Sequence, residues 1–172
     1  MISEKMQERL NKAIKLEFDS SYLYLSMAAY CESIAFDGFA GWMRAQSAEE
    51  WRHGMRVYEY LCDQQARVVL HPIDQPKHEW VSVVEVFEET LAHEKKVTTA
   101  YHDLMAYAHE TKDYATQAFL QWFINEQVEE EATAAGILDK LRMVKDRPQG
   151  LLYMDRHLGQ RQSASAGAAE DD

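Results

Sequence analysis

The sequence predicts an all-α fold: an antiparallel four-helix bundle with one long crossover, followed by a short fifth helix near the C-terminus. Three observations carry this expectation. Apolar residues recur at helical spacing over four long stretches, and no stretch alternates with the period of a strand. The 172 residues include only 7 glycines and 3 prolines, and no proline interrupts a periodic stretch. Two of the connections between the long stretches are a few residues each, while the third, "VVLHPIDQPKHEWV", has 14.

The first helix is expected from about Ser3 to Ile34, closing at "FDG", and the second from about Phe39 to Arg67. The third starts at "SVVE", where Ser82 and Glu85 have capping-box spacing, and runs to about Thr111. The fourth follows Asp113, an N-cap residue type, and stops near Arg147 before "PQG". The apolar run "LLYMDRHL" supplies the fifth. Short connections make helices one and two antiparallel, and likewise three and four. The 14-residue connection could span about 46 Å at ~3.3 Å per residue. A 29-residue helix is about 43 Å long. The connection can therefore run the length of the bundle and make helices two and three parallel.

Composition narrows the function. Hydrophobic residues make up 47 % of the chain, with 4 Trp and 9 Tyr, which is a globular composition rather than a disordered one. The net charge of −11 argues against nucleic acid and anionic membrane as partners. Cys31 and Cys62 match no zinc or redox spacing. No apolar run has the length of a membrane span, and "MISEKMQERL" has no signal-peptide character. The chain reads as a soluble cytoplasmic protein.

Each inward stripe carries a carboxylate near its middle. Helix one reads Leu10, Ala13 or Ile14, Glu17, Ser21, Tyr24, Ala28. Helix two reads Trp42 or Met43, Gln46, Glu50, His53, Val57, Tyr60 or Leu61, with Glu49 beside the stripe. Helix three reads Phe87, Leu91, Glu94, Thr98, Tyr101, Met105. Helix four reads Phe119, Phe123, Gln127, Glu130, Ala134, Ile137, Leu141. The heights agree to within one or two turns. Glu17 lies 17 residues before Ile34, Glu94 lies 17 before Thr111, and Glu130 lies 17 after Asp113. Glu50 and His53, three apart, share a helix face.

Singly, such residues are ordinary. An inward Glu is usually paired with Arg or Lys, a Glu-x-x-His pair is common by chance, and "QVEEEA" reads as a solvated face. Together they are not. Four carboxylates in one layer, with no inward Lys or Arg to pair them, would cost several kcal/mol each to desolvate as anions. Two divalent cations would cancel that charge. One imidazole among carboxylates suits iron, manganese or zinc better than magnesium or calcium.

Those residues resemble the bacterial non-haem ferritins. The resemblance spans nearly the whole chain, from "MQERLNKAIKLEFDSSYLYLSMAAYC" through "AEEWRHGMRVYEYL", "HEKKVTTAY" and "FLQWFINEQVEEE" to "GLLYMDRHL". It implies a ferritin-like di-iron domain over residues 1–159, with 160–172 a disordered acidic tail. By resemblance, Glu17 and His53 would hold one iron, Glu50 would bridge, and Glu94 and Glu130 would hold the second with Gln127 beside them. Tyr24 would be a hydrogen-bonding partner and electron donor, with Trp122 a second candidate. Glu49, Glu126 and Glu129, sharing Glu130, would form a third iron site. The resemblance further implies oxidation of Fe(II) by dioxygen or peroxide. It implies storage of a ferric oxyhydroxide mineral in a cage of 24 copies, with the fifth helix around the four-fold axes.

Two features separate the chain from relatives. The haem-ligating Met of haem-containing bacterioferritins falls at Trp51, which cannot ligate iron, so no haem is expected. The second Glu-x-x-His of those proteins is replaced by Gln127 and Glu130. Other readings remain: a di-iron oxidase or peroxidase acting on another substrate, which would need a pocket beside bulky Tyr24, Trp122 and Phe123, or a helical interaction protein with a vestigial polar layer.

Overall fold

A computed structural model describes residues 2–167, with side chains through residue 160. Five helices and no strands occur among the described residues: α1 (Glu4–Ser33), α2 (Asp37–Asp63), α3 (Val83–Glu110), α4 (Tyr114–Val144) and α5 (Pro148–Gly167). None of the helices is long and apolar enough to cross a membrane. α5 passes the domain boundary expected at residue 159. Of the tail expected over 160–172, residues 160–167 belong to α5 and 168–172 lie outside the described residues.

Caps explain most helix starts. Ser3 accepts a hydrogen bond from the Met6 amide at 3.2 Å, and Asp113 accepts one from the Thr116 amide at 3.1 Å. Ser82 accepts from the Glu85 amide at 3.2 Å, while Glu85 accepts from the Val81 amide at 2.6 Å. The expected capping box therefore forms, reaching one residue further back than usual. α2 differs. It starts at Asp37, two residues before the expected Phe39, with no side-chain cap of its own. Asp155 of α5 supplies one, accepting from the Phe39 amide at 2.9 Å. Gly38 permits the approach, since a Cβ there would lie 1.8 Å from the Asp155 carbonyl oxygen. α2 also ends at Asp63 rather than Arg67, because Gln65 turns the backbone to φ 56°.

The crossover is thus residues 64–82 and runs beside α1. Arg67 donates its amide to Gln7, Val69 donates to Asn11 at 2.8 Å, and Lys15 meets Asp74 at 3.3 Å. Further along, Ser26 donates to the Lys77 carbonyl at 2.8 Å and Tyr30 packs on Trp80. Contacts from Gln7 to Tyr30 cover about 35 Å of helix at 1.5 Å per residue. The crossover therefore returns the chain to the end of the bundle where α2 began, and α2 and α3 run parallel as expected. α1 packs on α2 and α3, α3 on α4, and α5 on α2 and α4.

Two apolar clusters fill the bundle. One joins Tyr24 to Cys31, Phe39 to Met43, Val83 to Phe87 and Ile137 to Leu141, with Met154 and Leu158 of α5. The other joins Met6 to Phe18, Val57 and Leu61, Val97 to Ala108, and Leu120 with Phe123. Between them lies a belt of buried polar side chains: Glu17, Ser20, Gln46, Glu50, His53, Thr90, Glu94, Gln127 and Glu130.

Candidate metal centre

All four helices contribute one carboxylate to the belt, and the helical period explains how. Glu17, Glu50, Glu94 and Glu130 sit on stripes whose neighbours one turn away are core residues, so packing those neighbours carries the carboxylates inside. α2 closes tightly on α1 at this level. A Cβ on Gly54, next to His53, would lie 2.5 Å from the Phe18 ring. Ser21 of α1 donates to the Ser47 carbonyl at 2.7 Å.

Glu17, Glu50 and His53 are buried and bring one ligand atom each within 4.8 Å of one another. His53 Nδ1 lies 3.2 Å from Glu50 Oε2. Tyr101 donates its hydroxyl to Glu17 Oε1, and the other oxygen, Oε2, is buried with no hydrogen-bond partner. Across the belt, Tyr24 donates to Glu94 Oε1 and Gln127 donates to Glu94 Oε2 at 3.1 Å. Gln46 donates to Glu130 Oε2 at 3.0 Å. No Lys or Arg is buried among the described residues.

The acids crowd one another without cationic relief. Burial, then the charge of Glu50, pushes the Glu17 carboxyl well above its ordinary range. Burial and the charge of Glu94 do the same to Glu50. Glu130 is raised to about 7, by burial first and then by Glu94 and Glu49. Each shift favours the neutral, protonated carboxyl, and a bound cation would oppose it. An orphaned carboxylate oxygen, an imidazole and further acidic oxygens within reach form a donor set that fits a divalent ion of intermediate hardness.

A second group lies on the outer side of His53. Glu49, His53 and Glu126 bring ligand atoms within 4.8 Å of one another, the two carboxylates being half-buried. Glu129, expected beside them, is exposed and belongs to neither group. Trp122 meets His53 edge-on at 5.2 Å, and the Arg56 guanidinium lies 4.3 Å over its ring. A cavity of about 500 Å³, lined by Glu49, His53, Arg56, Glu59, Trp51 and Trp122 among others, opens onto this side of His53. Bulky rings therefore leave more room than the sequence suggested. Trp51 is 52 % exposed and stacks on Phe18 at 4.5 Å.

Two residues of the belt were on the inward stripes without a role assigned to them: Gln46, which holds Glu130, and Tyr101, which holds Glu17. Their signal was available, since Gln46 lies one turn from Glu50 and Tyr101 two turns from Glu94, each a polar tip on an inward stripe.

Fold and site together define a four-helix bundle with a carboxylate-rich candidate metal site, of which Glu17, Glu50 and His53 are brought within reach of one ion and Glu94 and Glu130 line the same belt. Comparison with known proteins narrows this. Residues 7–144 match the family model described as the ferritin-like domain. A bacterial non-heme ferritin of Bacteroides fragilis is 44 % identical over 161 residues, covering 94 % of this chain and 100 % of the relative. A probable bacterial non-heme ferritin-like protein of Haemophilus influenzae is 40 % identical, covering 92 % of this chain and 96 % of the relative. An open-pore ferritin from Archaeoglobus fulgidus superposes with a TM-score of 0.92 at 45 % identity, covering 92 % of this chain and 98 % of that one. The chain belongs to the ferritin family, in the company of the bacterial non-haem ferritins.

Proposed function

We propose that the chain stores iron and oxidises it on the way in, as a ferroxidase using dioxygen. Fe(II) is substrate and cargo. Glu17 and His53 would take one ion, Glu94 and Glu130 the other, and Glu50 would bridge them. Gln127 and Gln46 orient Glu94 and Glu130 by the hydrogen bonds they donate. The observation that carries this reading is the buried, unpartnered Oε2 of Glu17 beside Glu50 and His53. Its neighbours there are the Glu50 carboxylate and the His53 imidazole, and a cation held between them would satisfy it. The acid-rich set stabilises Fe(III) over Fe(II), which lowers the barrier to giving up an electron. Glu49 and Glu126 would offer a further iron position at His53, and the exposed Glu129 would reach it only by moving its side chain.

The reading extends to a cage of 24 copies in the cytoplasm, with ferric oxyhydroxide deposited inside and α5 packed around the four-fold axes. It includes no haem, no nucleic acid and no membrane partner. The test is aerobic addition of Fe(II) to metal-free protein, followed by near-ultraviolet absorbance, beside a Glu50→Ala/His53→Ala variant. Fast oxidation of two ferrous ions per chain is expected, falling to the rate in buffer for the variant. Continued uptake of many more ions into a soluble particle is expected to follow. Oxidation no faster than buffer in the unaltered protein would overturn the reading. The cavity at His53 supports a second reading, an oxidase or peroxidase with another substrate. Oxidation that stops at the first two ions, with no particle formed, would favour it.

A further inference from the structure

Two buried tyrosines flank the belt, one on each side. Tyr24 donates its hydroxyl to Glu94, and Tyr101 donates its own to Glu17. Both rings are fully buried, at 0 % exposure. Tyr101 is held by a column of rings. It stacks on Phe123 at 4.4 Å with the planes 9° apart, Phe123 meets Phe119 at 5.5 Å, and Phe119 stacks on Tyr60 at 3.9 Å. Its phenol therefore points at one carboxylate and has no room to turn away. Beyond this hydrogen bond, the proposed reaction gives Tyr101 nothing to do.

We propose that Tyr101 is a second electron-donating tyrosine, which gives one electron to dioxygen reduction at the belt and passes its phenolic proton to Glu17. The inference rests on the ferroxidase reading. Reducing one dioxygen to two waters takes four electrons and four protons. Two ferrous ions supply two of the electrons. Tyr24 and Tyr101 supply one each, together with one proton each relayed to the oxygen through Glu94 and Glu17, and the other two protons come from solvent. The two tyrosines are left as neutral radicals and both irons as Fe(III).

The geometry favours this path. Each phenol already touches a proton acceptor, so electron and proton can leave together. Enclosure by α1, α3 and α4 keeps water and external reductants from a radical formed there. A merely structural Tyr101 would satisfy Glu17 and do no more.

The test mixes protein loaded anaerobically with two ferrous ions per chain with dioxygen, then freezes it within milliseconds for electron paramagnetic resonance. Near-ultraviolet absorbance follows iron oxidation in parallel. The proteins are the unaltered chain, Tyr24→Phe, Tyr101→Phe and the double variant, each grown with and without ring-deuterated tyrosine. Deuteration separates tyrosine radicals from any on Trp122. Expected are a tyrosine signal in each single variant and none in the double. With both phenols acting, two Fe(II) are consumed per dioxygen reduced to water; in the double variant the ratio should rise toward four, or reduction should stop at hydrogen peroxide. A tyrosine signal absent from Tyr24→Phe, or retained in the double variant, while iron is still oxidised, overturns the inference and leaves the ferroxidase reading standing. Absent iron oxidation in the unaltered protein sinks both. The unaltered protein supplies a check that does not depend on the variants folding: spin counting should give about two tyrosine radicals per dioxygen reduced to water, and no more than one refutes Tyr101.

Discussion

The acidic belt and the two apolar clusters around it are built from the same four helices, yet they act on stability in opposite directions. The clusters bury Leu10, Leu61, Phe39, Phe87 and Leu141 completely. Each such side chain contributes roughly 1.5–3 kcal/mol by leaving water. The belt buries Glu17, Glu50, Glu94 and Glu130, and the shifts of three of them show that burial opposes their charged forms. A bundle selected for stability alone would continue the apolar stripes through the middle. The difference teaches that the ends hold the bundle together and the middle is retained for what it binds.

Shaving the clusters gives the largest effect. Leu10→Ala in one and Leu141→Ala in the other are each expected to lower stability by about 2–5 kcal/mol. The loss should be equal with and without divalent metal, because neither residue touches the belt. Denaturant unfolding of assembled protein at fixed concentration measures it. A loss below about 1 kcal/mol at both sites would break the division of labour drawn above.

The belt should show itself through pH. Glu130 titrates at about 7 in the folded chain against an ordinary 4.5. Between those values the folded state holds more protons than the unfolded one, so metal-free protein loses stability as pH rises through that window. For Glu130 the loss is about 3 kcal/mol, at about 1.4 kcal/mol per pH unit. His93, held low by burial, works in the opposite sense up to its ordinary 6.5. The difference between the unaltered protein and Glu130→Gln isolates the belt. Thermal unfolding from pH 4.5 to 8 should show the variant gaining relative stability as pH rises. A saturating divalent ion should cancel the loss in the unaltered chain and leave the variant less affected. Parallel curves for the two proteins would mean that Glu130 is not strained by its neighbours.

The comparison also shows what a sequence can disclose. The belt was legible because four carboxylates interrupted four apolar stripes at one height, and helix geometry turns that spacing into a layer. The caps at Ser82 and Asp113 were legible because capping is local. Partnerships across the fold were harder. Asp155 caps α2 through the Phe39 amide, 116 residues earlier in the chain, and nothing near Phe36 announces it. Tyr101 looks like core until the Glu17 carboxylate is placed beside its hydroxyl. The cavity at His53 depends on how Trp51, Arg56 and Trp122 settle, which periodicity does not encode.

Helix ends were the least legible part, and they yield the smallest effect. Ala35, Gln65 and Lys112 each adopt a left-handed backbone, with φ of 60°, 56° and 56°, just past the ends of α1, α2 and α3. Glycine usually marks such positions; the ends of α1 and α3 fell within one residue of expectation all the same, but its absence at Gln65 hid the stop of α2. In that conformation a Cβ crowds the following carbonyl, at about 1–2 kcal/mol. Glycine gives part of that back in the flexibility it adds to the unfolded chain. Lys112→Gly is therefore expected to stabilise the chain by up to about 1 kcal/mol. Lys112 is exposed at the far end of α3 and belongs to neither cluster nor belt. Its gain should then be the same at pH 5 and pH 8, with or without metal, in the same unfolding assay. A gain that changed with metal would mean that strain in the belt reaches the helix ends, and the two regions would no longer be separable.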